Sequence, residues 1–349
     1  MTFHHVLANM VISRNPLAGA LLASTTFALS TTCAQAQNGW GARAFSGYVD
    51  EAPHRVGFVT VAKGVRLEYL DFGGSGPPLV LLAGIGNTAH AYDDFAPGFT
   101  DRFHVVAITR RGFGASSHPD TGYSIPTLAH DIKVVLDSLH LGRVDVMGHS
   151  FAGQEMTHFA RAYPGRVAKL VYLDGAYDDF GLDSVARLVF PDPVPYPSKP
   201  DMRPEDSATA AAYVAYVHRS RGVDIPESDI RMRLRYDGVV EEAGKGYVAI
   251  GNEDRERQDW KTLTVPALAI FAVIDSVSQT EPWVRADAFY HDAVQSFLTR
   301  DTAVTHFAER DFAQAPHGEE LIVHGGHHWV FVSHKALVTA RVREFLLKP

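Results

Sequence analysis

The feature that most restricts the fold is a turn. A largely apolar run at residues 144–147 leads into Gly148-His149-Ser150-Phe151-Ala152-Gly153, and a helical pattern follows as far as residue 163. A strand that turns this sharply into a helix leaves room for only small residues two positions either side of its apex, and Gly148 and Ala152 meet that demand. The serine at the apex is held in a strained conformation with its side chain exposed. The helix N-terminus beside it offers N–H groups and a dipole that favour a negatively charged oxygen. Such a serine is placed to be a nucleophile, provided that a base and its orienting acid come from elsewhere in the chain.

The rest of the chain keeps to the same alternation of strand and helix. Residues 78–83, 104–109, 170–173, 267–272 and 320–323 are short, nearly continuous apolar runs, as expected of strands covered on both faces. Residues 55–62 and 65–72 flank a turn at Gly64 and predict an antiparallel hairpin. Residues 125–139 set Leu128, Ile132, Val135, Leu136 and Leu139 on one helical side. Helical periodicity returns at residues 151–163, closed by Pro164-Gly165, and at residues 336–347. The pattern predicts an α/β chain with a mostly parallel, eight-stranded sheet flanked by helices.

This rhythm breaks for about ninety residues between Asp174 and Pro266, where a parallel crossover needs only about a dozen. The stretch 190–204 is rich in proline, and residues 208–218 and 227–235 read as helices. With 349 residues, 46% of them hydrophobic, one large core is expected rather than two independent ones. The expected organisation is a core in two parts, residues 37–180 and 260–349, interrupted after the sixth strand by a helical lid at residues 181–259. A lid there would cover the carboxyl ends of the strands, where open sheets of this kind bind ligands.

Residues 1–36 differ in composition. Arg14 is the one charged residue among them, a small and apolar run covers residues 17–28, and Ala34-Gln35-Ala36 is a small-x-small cleavage site. These are the marks of a signal peptide. Ser24, Thr25 and Thr26 break the apolar run, which falls short of the roughly 20 residues that span a bilayer. The chain is therefore expected to be exported, to the periplasm or beyond, with no stable membrane span after processing. Cys33, the single cysteine, lies inside this segment, so a disulfide framework is excluded. A formal net charge of -8 argues against a nucleic-acid partner.

Taken together, these residues resemble the α/β-hydrolase superfamily over nearly all of the chain beyond residue 36. Arg110-Arg111-Gly112-Phe113-Gly114-Ala115-Ser116 is similar to that family's Arg-Gly-x-Gly-x-Ser turn after the fourth strand. Leu82-Ala83-Gly84-Ile85-Gly86 stands at the oxyanion turn after the third, with Ala83 where the family usually has a histidine that braces the loop. The resemblance implies the N–H groups of Phe151 and Ile85 as oxyanion donors. It also implies the order serine, acid, histidine. Within His324-Gly325-Gly326-His327-His328-Trp329 the expected base is His328, because Trp329 and Phe331 follow it as aromatics follow the base in related hydrolases; His327 is the alternative. The expected acid is Asp275, at the family spacing after the strand at 267–272, and Asp174, after the sixth strand, is the position some lipases use.

The resulting expectation is a secreted serine hydrolase that cleaves a carboxylic ester or lactone through an acyl-enzyme on Ser150, with Asp275 and His328 completing the triad. A serine nucleophile separates the chain from the epoxide hydrolase and haloalkane dehalogenase branches, which use aspartate. An amide, peptide or carbon–carbon bond remains open as the scissile bond, as does a binding protein that kept the fold. The partner is a small molecule with an acyl group, and no cofactor or metal is expected. A metal site at His324, His327 and His328 has no carboxylate or cysteine near it in sequence. His149, Asn87, His90 and Tyr92 are given no role.

Overall fold

A computed structural model describes residues 40–178, 202–238, 245–251, 253, 256–280 and 291–349. The expected signal peptide at residues 1–36 and most of the proline-rich stretch at 190–204 lie outside the described residues.

Eight strands form one sheet: β1 (Arg55–Ala62), β2 (Val65–Gly73), β3 (Pro78–Leu82), β4 (His104–Ile108), β5 (Val144–His149), β6 (Val167–Leu173), β7 (Ala267–Val273) and β8 (Gly318–His324). Their spatial order is β1-β2-β4-β3-β5-β6-β7-β8. The β1–β2 hairpin and the β2–β4 pair are antiparallel, and every later pair is parallel. The expected fold class is therefore the observed one. β6 begins three residues before its apolar run because Lys169 does not end it; the ammonium leaves the core and donates to the carbonyls of Phe345 and Leu346 at 3.2 and 2.9 Å.

The helices are α1 (Ile125–Ser138), α2 (Ala152–Ala162), α3 (Ala210–Arg221), α4 (Glu227–Tyr236), α5 (Lys245–Gly251), α6 (His291–Phe312), α7 (Val330–Ser333) and α8 (Lys335–Leu346). No helix among the described residues is long and apolar enough to cross a membrane. The sheet divides the core into two apolar layers. One holds Leu79, Leu81, Met147, Val171 and Ile270 with α8, and the other holds Val80, Val146, Tyr172 and Phe271 with α1, α2 and α6. Strand residues alternate between the two, as the period of two requires.

Strand register sets the level of the loops. Leu82 pairs with Gly148, His149 with Leu173, and Leu173 with Ile270. The loops after β3, β5 and β6 thus open at one height. β7 and β8 run on past that height, with Val273 opposite His324.

Candidate active site

Ser150 follows β5 with φ of +54°, a left-handed conformation that a residue with a side chain adopts only when its surroundings enforce it. Its N–H donates to the carbonyl of Leu173 at 3.1 Å, and its carbonyl accepts from Gly153 at 2.9 Å, so the turn is tied to β6 and to α2. A Cβ at Gly148 would stand 2.8 Å from Met156 Sδ and 2.9 Å from Ala152 Cβ, which is the steric demand read from the sequence. Gly84 is needed for a similar reason, since a Cβ there would meet His149 Nδ1 at 2.6 Å and Ser150 Cβ at 3.3 Å. The oxyanion turn and the serine are in direct contact.

His328 and Asp174 meet behind this turn. The ring Nδ1 of His328 lies 2.6 Å from Asp174 Oδ2, and each side chain is only 7% exposed. The second oxygen of Asp174 accepts from Tyr177 Oη at 2.6 Å and from the N–H of Ala272 at 3.1 Å. Three donors therefore hold one carboxyl group, whose backbone is itself strained at φ +46°. With the carboxylate on Nδ1, Nε2 is the His328 nitrogen that a base would use.

Asp275 is not brought to His328. Its Oδ1 faces His324 Nδ1 at 2.9 Å, in a pair that is 41% and 67% exposed. The register explains this. Asp174 stands level with Phe271, one place beyond the Leu173–Ile270 pair, so Asp275 comes later along β7 and the loop that follows. β7 continues two residues past that level, about 7 Å at the rise of a strand, before the loop that carries Asp275 to the equally prolonged end of β8. The carboxylate beside His328 is the one after the sixth strand. His327 is partly exposed, stacks on Trp329 with ring centroids 5.3 Å apart, and its Nδ1 accepts from the N–H of Trp329 at 3.3 Å. Of the two histidines weighed, His328 is the buried one.

Two features have no counterpart in the sequence reading. His149 is buried against His328, Trp329 and Phe331, and its Nε2–H donates to the carbonyl of His328 at 2.9 Å. Burial holds this imidazole well below its ordinary pKa, so it stays neutral and locks the loop that carries the base. Arg110, quoted above only as part of a motif, takes over from the histidine that Ala83 replaces. Its guanidinium donates to the carbonyls of Ala83 at 2.7 Å and Gly84 at 3.3 Å, and it pairs through both Nε and Nη2 with Glu155 of α2, the latter at 2.6 Å. Tyr92 Oη donates to the Leu82 carbonyl at 2.8 Å. A charged residue on the buried side of α2, one turn past Phe151, was the available signal for this brace.

The side chains of the two residues expected as oxyanion donors share one apolar cluster. Phe151 opens α2, and its ring shares an apolar cluster with Ile85, Phe113, Tyr247 and Ile250. The last two belong to the insertion, whose α4 is fastened to the loop after β3: Asp229 accepts from Asn87 Nδ2 at 2.8 Å and from Thr88 N and Oγ1 at 2.7 and 2.8 Å.

Comparison with known proteins agrees with this geometry. Residues 77–225 match the model of a family described as alpha/beta hydrolase fold. The chain is 37% identical over 119 residues to a non-heme chloroperoxidase of Streptomyces lividans, covering 33% of this chain and 43% of the relative. It is 34% identical over 111 residues to a soluble epoxide hydrolase of a Corynebacterium species, covering 32% and 38%. These matches span less than half of either relative's length. An esterase of a Rhodococcus species superposes with a TM-score of 0.57 at 19% identity, covering 84% of this chain and 98% of that one, which is a likeness of fold.

Proposed function

We propose that this chain, which shares the α/β-hydrolase fold, is a serine hydrolase of that superfamily cleaving a carboxylic ester or lactone through an acyl-enzyme on Ser150. The observation that carries the reading is the 2.6 Å contact between His328 Nδ1 and Asp174, set behind a serine held at φ +54°. In this reading Asp174 fixes the tautomer, so that His328 Nε2 takes the Ser150 proton as Oγ attacks the acyl carbon. The N–H groups of Phe151 and Ile85 receive the developing oxyanion. His328 then returns the proton to the leaving alkoxide, activates water, and the acyl group departs as a carboxylic acid. Asp275 has no part in the relay.

The esterase likeness and the serine nucleophile favour an ester, although the epoxide hydrolase relative shares more sequence identity. Tyr247 and Ile250, against Ile85 and Phe151, support a lid role for the insertion, with an apolar acyl chain as its ligand. Export with cleavage after Ala36 completes the proposal, and N-terminal sequencing of the protein recovered from periplasm or medium tests it.

The decisive experiment is Ser150→Ala with short p-nitrophenyl esters and a fluorophosphonate probe. Loss of both turnover and labelling in a folded variant is expected. Wild-type labelling with no ester turnover would move the scissile bond to an amide or carbon–carbon bond, and an unlabelled, folded wild type would reject the serine mechanism.

A further inference from the structure

Away from the triad, four side chains converge from two separate segments. Asp50 and His54 are four residues apart just before β1, and His90 and Asp93 are three apart in the 3-10 turn after β3. We propose that these four residues form a structural site for a divalent transition-metal ion, with zinc the best match to two imidazoles and two carboxylates. The site is independent of the Ser150 assignment and revises the expectation of no metal.

The spacing fits. One donor atom from each residue lies within 4.8 Å of all the others. His90 Nδ1 is 3.2 Å from Asp50 Oδ2 and 3.1 Å from Asp93 Oδ2, and His54 Nδ1 is 3.1 Å from Asp93 Oδ1. Ligands about 2.0–2.1 Å from a tetrahedral zinc are about 3.3 Å from one another. That is close to the His90–Asp50 separation and to the distance of each Asp93 oxygen from its own imidazole, and Asp93 would offer one of those two oxygens to the ion.

The polar accounting points the same way. The side chains of His54, His90 and Asp93 are each 4% exposed. His54 Nδ1 and Asp93 Oδ1 are buried and 3.1 Å apart, and neither has a partner in good hydrogen-bond geometry. With Nδ1 unprotonated, two lone pairs would face each other at this distance, and a cation between them would turn that repulsion into two bonds. The charge agrees as well: Asp50, Asp93 and the buried Glu68 bring three carboxyl groups into a region where isolated charge is costly.

A supporting shell is present. Glu68 Oε1 is 3.8 Å from His90 Nε2, on the far side of the ring from the cluster, and its other oxygen accepts from Thr109 Oγ1 at 2.8 Å. Ser228 Oγ of α4 donates to Asp93 Oδ2 at 2.5 Å. Carboxylates behind ligating histidines and hydroxyls on ligating carboxylates are the usual means of orienting a metal's ligands. All four positions come from protein, so the ion would be a brace and not a reagent. It would pin the segment before β1, the loop that continues from Ile85, and α4 to one point.

The test uses untagged, full-length protein purified without chelator. Elemental analysis is expected to find one zinc per chain. After chelation, zinc at a thousandfold excess over its Kd should raise Tm by roughly 5 °C or more. Asp50→Asn and His54→Gln should each weaken zinc binding by about 100-fold or more, beyond what loss of a supporting residue costs. His306→Gln, a surface change, should not. Folded wild type that holds no zinc and does not respond to it overturns the proposal, whatever the variants do. So does a response to calcium or magnesium but not to zinc, or zinc binding by both ligand variants as tight as wild type.

Discussion

Asp174→Asn tests the site at its least sequence-evident point. The carboxyl group divides its work: Oδ1 accepts from Tyr177 and Ala272, while Oδ2 holds His328 Nδ1 at 2.6 Å. An asparagine can keep its carbonyl oxygen on the first pair, which leaves the architecture intact. Its NH2 then faces His328 Nδ1. Two donors cannot face each other, so the ring gives up the proton at Nδ1 and carries it at Nε2, presenting an N–H where the serine needs an acceptor. The corresponding change in a serine protease costs on the order of 10⁴ in kcat. A loss of about 10³–10⁴ is expected here, or about 4–5 kcal/mol of transition-state stabilisation at 1.36 kcal/mol per factor of ten. Asp275→Asn, in an exposed pair with His324, is expected to leave kcat/KM within about twofold. The assay is p-nitrophenyl butyrate hydrolysis with the rate of fluorophosphonate labelling, which is independent of substrate preference, and circular dichroism melts to verify folding. Asp174→Asn within tenfold of wild type, or Asp275→Asn as impaired as Asp174→Asn, would refute the assignment.

Three further outcomes follow from the same geometry. Arg110→Met or Glu155→Gln, each stranding one partner of a buried ion pair, should lower unfolding free energy by about 3–5 kcal/mol in urea titrations. The double change Arg110→Met, Glu155→Leu should recover part of the loss; single variants within 1 kcal/mol of wild type would argue that the pair braces nothing. Burial pushes Asp237 from 3.8 up to about 7, so its neutral form is the folded one and its contribution, full below about pH 4, is lost as pH rises toward 7. Asp237→Asn should therefore flatten the stability profile between pH 4 and 7 and raise Tm at pH 8, and an unchanged profile would reject the shift.

The zinc brace and the triad make separable predictions. Chelation should lower Tm while leaving residual turnover in the molecules that stay folded, whereas Ser150→Ala should remove turnover and leave Tm unchanged to within a few degrees. Thermal melts run beside activity assays at each chelator concentration give that distinction directly. Loss of turnover ahead of any loss of folded signal would place the metal in the chemistry instead.

Local patterns carried the strands, the tight turn at Ser150 and the choice of His328 as the buried histidine, because each is decided by neighbours in the chain. Apolar runs must be strands if both faces are covered, small residues must flank a strand-to-helix apex, and Trp329 and Phe331 accompany the buried histidine. Helix α6 was also within reach, since Leu298, Val304, Ala308 and Phe312 fall at helical spacing and are buried. The acid was not. Asp174 and Asp275 each follow a buried parallel strand and are alike in local chemistry, and the choice between them rests on β7 running past β6 before its loop begins. The bracing Arg110–Glu155 pair and the two halves of the cluster, Asp50 with His54 and His90 with Asp93, are of the same kind: they are separated in the chain by dozens of residues, and strand register and loop packing bring them together.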